Sequence, residues 1–94
     1  MAEEKIKKRI LLSGKVQGVS FRAFLQRKAQ KEGITGWVKN LSDGRVEAVF
    51  SGERNKVEKL IDFARRGPRL ARVDEVQIKD EEYKGLYDDF QIKF

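Results

Sequence analysis

The chain has 94 residues, 39% of them hydrophobic, and its 21 Lys and Arg against 15 Asp and Glu give a net charge of +6. That is enough chain for one domain with a modest core, and the charge attracts anions. Cysteine and histidine are both absent, which excludes a disulfide framework, thiolate chemistry, Ser-His triads and His-Cys zinc sites.

Met1 to Lys5 is polar and expected to be a flexible segment, with a single domain running over residues 6–94. Ile6 to Gly14, "IKKRILLSG", predicts a strand that stops on a glycine. The glycine-bearing loop "KVQGVS" follows. From Phe21, "FRAFLQRKAQKEG" places Phe21, Phe24, Leu25 and Ala29 at helical spacing and closes on Gly33. Arg22, Gln26, Arg27 and Gln30 take the other face. "TGWVKN" (35–40) is a second strand, and Asp43-Gly44 marks a hairpin turn.

In "RVEAVFSG", Val46, Ala48 and Phe50 alternate with Arg45, Glu47 and Val49. A second helix is predicted from Glu53 to Arg66, with Val57, Leu60, Ile61 and Ala64 on one stripe and Gly67-Pro68 as its stop. "RVDEVQIKDEEY" is a fourth strand with Val76 and Ile78 inward. "FQIKF" is a short fifth, with Phe90, Ile92 and Phe94 alternating. The order βαββαβ plus a short C-terminal strand predicts an α+β, ferredoxin-like sandwich: a mainly antiparallel sheet with two helices on one face.

Two stretches carry chemistry. In "GKVQGVSFR", a glycine-bearing turn leads into a helix start, where successive backbone N–H groups can converge on an anion. Arg22 sits in the first helical turn, which disfavours a cation. A bound anion reverses that penalty, and a guanidinium can grip two phosphate oxygens at once. An ordinary turn followed by an exposed arginine would give the same nine letters. The loop is not a Walker A, since no Gly-Lys-Ser/Thr follows. Asn40 ends a strand just before a turn, a place Asn also takes for local backbone bonding.

"GKVQGVSFR" and "GWVKNLSDGRVEAVFSG" together, at this separation, resemble the acylphosphatase family, and the likeness runs from about Ile6 to Phe94 through "RGPRLARVDEV". The resemblance implies metal-independent hydrolysis of acyl phosphates to a carboxylate and inorganic phosphate, with no cofactor. It implies that Arg22 is the substrate-binding, catalytic arginine and that Asn40 orients the attacking water. The loop Gln17, Gly18, Val19, Ser20, Phe21 would cradle the phosphate. Two departures stand out. Ser20 occupies a position often held by glycine in the family, and "DDF" (88–90) replaces a usual Gly-Phe approach to the last strand.

The chemistry is consistent with a chain lacking histidine. A carboxylate leaves as a stable anion, its acid having a pKa of about 4, so no general acid is needed. Phosphoryl transfer then depends on positioning and electrostatic stabilisation. Asn40 cannot act as a base near neutral pH, so a phosphate oxygen of the substrate is expected to accept the proton. Ser20 has no histidine to activate it, and a phosphoserine intermediate is not expected.

The alternative is a ferredoxin-like nucleic-acid-binding module, for which the basic "ARRGPRLAR" (Ala64 to Arg72) speaks. Cations at a helix C-terminus are favourable anyway, and the sheet lacks the paired aromatics of an RRM, so nucleic acid is disfavoured as a partner. Acylphosphatase-like domains also occur inside large hydrogenase-maturation carbamoyltransferases, and the extent of this chain favours a free-standing enzyme. No apolar run reaches the length of a membrane span, and "MAEEKIKKR" lacks a signal peptide's apolar region. A cytoplasmic monomer with no membrane contact is therefore expected. The 38% charged content and single methionine lean towards a thermophilic source.

Overall fold

Seven elements follow one another in a computed structural model that describes residues 4–94: β1 (Lys5–Lys15), α1 (Phe21–Glu32), β2 (Thr35–Asn40), β3 (Val46–Glu53), α2 (Arg54–Arg66), β4 (Arg72–Glu81) and β5 (Phe90–Lys93). They form one five-stranded sheet in the order β4-β1-β3-β2-β5. β1 pairs antiparallel with both β3 and β4, and β2 pairs antiparallel with β3. Only β5 runs parallel to its neighbour, β2. The two βα halves thus interleave, since β3 lies between the parallel strands β1 and β2.

The core lies between the helices and one face of the sheet. Phe21, Leu25 and Ala29 of α1 and Val57, Leu60, Ile61 and Ala64 of α2 bury into one cluster with Ile10, Leu12, Val38, Val46, Ala48 and Phe50. Both helices therefore cover the same face, as their apolar stripes predict. Phe50 packs 5.9 Å, centroid to centroid, from Phe90, which ties the short β5 into the core. Truncating such a ring costs about 3–5 kcal/mol.

Four places depart from the sequence pattern. Val49, expected on the outer face with Arg45 and Glu47, is fully buried there, because it pairs with Trp37 across β2 and Arg9 across β1. Arg9, Lys39 and Lys93 in turn stand over the Trp37 ring at 5.5, 5.3 and 4.5 Å. Ile78, expected inward, is exposed because β4 is an edge strand. Phe94, expected within the fifth strand, lies beyond its end and is exposed. At the other terminus, residues 1–3 of the expected flexible segment lie outside the described residues. Glu4 and Lys5 are tied down: the Arg54 N–H donates to the Glu4 carbonyl at 2.8 Å, and Lys5 opens β1 opposite Glu53. No helix among the described residues is long and apolar enough to cross a membrane.

Candidate active site

A bulge at the end of β1 starts the site. The β1–β4 register shifts between Ser13 and Gly14. Gly14 has φ +125°, and a Cβ there would lie 2.2 Å from the Arg72 carbonyl oxygen, so only glycine fits. The chain then turns into residues 16–20. Val16 and Val19 plunge into the core and, with Phe21, pin the loop from beneath. Gly18 and Ser20 face solvent.

Two residues of this loop take the left-handed conformation, Gly18 at φ 74° and Ser20 at φ 64°, and Ser20 is the sole non-glycine among the described residues to do so. Left-handed residues thus alternate with the ordinary ones at 17, 19 and 21. Alternation of this kind turns successive N–H groups towards one concavity, the arrangement that binds anions. Among the described residues, none of the N–H groups of residues 17 to 22 donates a hydrogen bond to a backbone acceptor. Ser20 stands at the N-cap of α1, yet its side chain caps nothing. The left-handed conformation costs an L-residue about 1–2 kcal/mol, and strain of this kind concentrates at functional sites.

Asn40 closes β2 opposite Val46. Its side-chain Oδ1 is buried and has no hydrogen-bond partner among the described residues. A buried acceptor without a partner costs about 1–3 kcal/mol, so it signals a role beyond packing. The turn beyond Asn40 is held tightly. The Leu41 N–H donates to the Arg45 carbonyl at 2.8 Å, and the Gly44 N–H donates to the Leu41 carbonyl at 3.2 Å. Asp43 accepts from the Arg45 N–H and from its guanidinium. These bonds, the backbone one first, hold the Asp43 carboxyl below its ordinary pKa.

Gln17 joins the two parts. Its side-chain amide donates to the carbonyls of Leu41 at 2.8 Å and Arg45 at 3.0 Å, so the loop after β1 is stapled to the turn that follows Asn40.

These segments enclose a concavity of about 390 Å³. Of the residues singled out in the sequence, Gln17, Gly18, Ser20, Phe21, Arg22 and Asn40 line it together. Val19 does not, because its side chain is spent on the core. The lining also includes Ile92 and Phe94 of the last strand and its end, which sequence reasoning left unassigned. Their alternation with Phe90 marked a strand but not what it faces. Arg22 is the one charged side chain in the lining and forms no ion pair among the described residues. Its Cζ lies 4.9 Å from the centroid of the Phe94 ring. No side chain in the lining carries a carboxylate, thiol or imidazole, and no cluster of three or more His, Cys, Asp or Glu able to hold a metal occurs among the described residues. The site is therefore suited to an anion, met by one guanidinium and a row of amides.

Comparison with known proteins agrees. The acylphosphatase family model matches residues 8–92. An acylphosphatase of Syntrophobacter fumaroxidans is 44% identical over 91 residues, covering 97% of this chain and 94% of that protein. One from Pyrobaculum arsenaticum is 51% identical over 84 residues, covering 88% of each. The solved structure of an acylphosphatase from Coxiella burnetii superposes with a TM-score of 0.89 at 39% identity, covering 95% of this chain and 93% of that one. With the match spanning both site-bearing segments and nearly every strand, the chain belongs to the acylphosphatase family, hydrolases that act on acyl phosphates.

Proposed function

We propose that Arg22 and the amides of Gln17, Gly18, Val19, Ser20, Phe21 and Arg22 hold the phosphoryl group, and that Asn40 orients the water that attacks it. The observation that carries this assignment is the convergence of Gly18, Ser20, Arg22 and Asn40 on one concavity with no acidic side chain in its lining. The phosphoryl oxygens carry dispersed negative charge in the transition state, which preorganised amides and a guanidinium stabilise without reorganisation. Asn40 lines the concavity and its Oδ1 has no hydrogen-bond partner among the described residues, which leaves its side-chain amide free to turn to a water. That water's oxygen bonds to phosphorus, the bond from phosphorus to the acyl oxygen breaks, and the carboxylate departs with its electron pair. The proton passes to a phosphate oxygen, since no side chain of the lining supplies a base.

Hydrolysis in isotopically labelled water tests the site of attack. The label is expected in inorganic phosphate; label in the carboxylate would mean attack at the acyl carbon and overturn the assignment.

We also assign the chain to a single domain over residues 6–94, acting as a cytoplasmic monomer without nucleic acid or a metal cofactor. A cysteine-free composition suits a reducing compartment. The charged composition, with Arg9 shared between Glu81 and Glu47 on the outer sheet face, favours a thermophilic source.

A further inference from the structure

We infer that Phe94, with Ile92, forms a subsite for the acyl portion of the substrate and selects acyl phosphates whose acyl group is apolar and, above all, aromatic. This inference rests on the assignment of the phosphate to Arg22 and its loop.

The cavity lining divides by chemistry. Gln17, Gly18, Ser20, Arg22 and Asn40 form its polar side. On the apolar side, Val16 and Phe21 are 1% and 2% exposed and have little surface to offer, whereas Ile92 is half-buried and Phe94 is fully exposed at 103%. Ile92 and Phe94 stand two residues apart, and so on the same side of an extended chain. β5 runs parallel to β2 with Lys93 opposite Lys39, which carries Phe94 alongside Asn40. The Arg22 guanidinium lies 4.9 Å from the ring centroid. In an acyl phosphate a single bridging oxygen separates the acyl carbon from phosphorus. A phosphoryl group on Arg22 therefore sends its acyl group out beside Phe94, where an apolar group removes ring surface from water and an aromatic one also stacks.

The same geometry disfavours a charged acyl group. Arg22 carries the only ionisable side chain in the lining. The neighbouring cations Lys39 and Lys93 turn to the opposite face of the sheet, where both stand over Trp37. A carboxylate or second phosphate on the acyl side meets an exposed ring with no free cation next to it.

The test compares kcat/KM for benzoyl phosphate and acetyl phosphate in the wild-type protein, Phe94→Ala and Phe94→Leu, with inorganic phosphate as competitor in each. Phe94 is outside the core, so neither substitution threatens folding. In Phe94→Ala the benzoyl-to-acetyl preference is expected to fall about five- to tenfold, the scale of one apolar pocket contact. Phe94→Leu is expected to fall between that variant and wild type. The phosphate inhibition constant should stay within about threefold, a limit on the cation–π contribution of an exposed ring. A preference unchanged in Phe94→Ala, or an equal loss for both substrates, overturns the subsite while phosphate competition leaves the site itself standing. Failure of inorganic phosphate to compete in the wild-type protein overturns the site assignment, and the subsite with it.

Discussion

The Gln17 side-chain amide donates to the Leu41 carbonyl at 2.8 Å, one residue beyond Asn40. A second bond from the same nitrogen reaches the Arg45 carbonyl at 3.0 Å. The loop after β1 and the turn that follows Asn40 are thereby held in one frame, although 23 positions separate Gln17 from Asn40 in the chain. Gln17→Met keeps the length of the side chain and removes both donors. Two lost bonds at about 0.5–1.5 kcal/mol each lower stability. The kinetic prediction is more specific: kcat falls about tenfold, or ~1.4 kcal/mol, with phosphate inhibition nearly unchanged. In an Asn40→Ala background the Gln17 substitution should add little to the loss, as coupled positions do. Equal losses in both backgrounds would assign Gln17 a merely structural role.

Ser20 supplies a second prediction. At φ 64° its backbone takes a conformation that glycine adopts freely and β-branched residues resist. Ser20→Val should lower Tm and weaken phosphate inhibition relative to Ser20→Gly, because the valine pulls the loop out of its alternating geometry. Melting curves and phosphate titration of the two variants read this directly. Equal behaviour of both would mean that the left-handed conformation at residue 20 does not shape the anion site.

The sequence anticipated the elements whose faces are covered by the core. The stripes of α1 and α2, the strand "TGWVKN" and the alternation of Val46, Ala48 and Phe50 all stand as read. Periodicity reports which residues share a face, and those faces have one possible cover. It failed where cover depends on position in the sheet. Ile78 has the same local pattern as a core residue but lies on an edge strand, and Val49 looks exposed by pattern but lies under Trp37. In the site, the local contexts of Arg22 and Asn40 left ordinary readings open, and it was the resemblance of their two stretches to a known family that singled them out. Gln17 as a staple and Phe94 as a cavity wall could not be singled out, since both depend on long-range juxtapositions made by the fold.

The outer sheet face carries a pH prediction. Hydrogen bonding from Arg9, and then its charge and that of Lys7, hold the Glu81 carboxyl below the ordinary glutamate value. A folded-state pKa below the unfolded one stabilises the fold above the unfolded value, about 4.3. That stabilisation is lost as pH falls through the lowered value. Asp80, held down by its hydrogen bond from Lys8, contributes with the same sign. Glu81→Gln should therefore show a smaller drop in Tm than wild type between neutral and strongly acidic pH. Parallel Tm-against-pH curves for the two proteins would contradict the assignment of acid sensitivity to this pair.

The most direct measurement of the central claim is steady-state hydrolysis of an acyl phosphate by Asn40→Ala, with inorganic phosphate as competitor. Asn40 lines the cavity and its side-chain oxygen has no partner among the described residues, and removing one preorganised polar group at a reacting centre costs about 2.7–4 kcal/mol. The predicted result is a kcat lower by about a hundred- to a thousandfold with phosphate inhibition close to wild type. Turnover near the wild-type rate would contradict the role of Asn40 in orienting the attacking water.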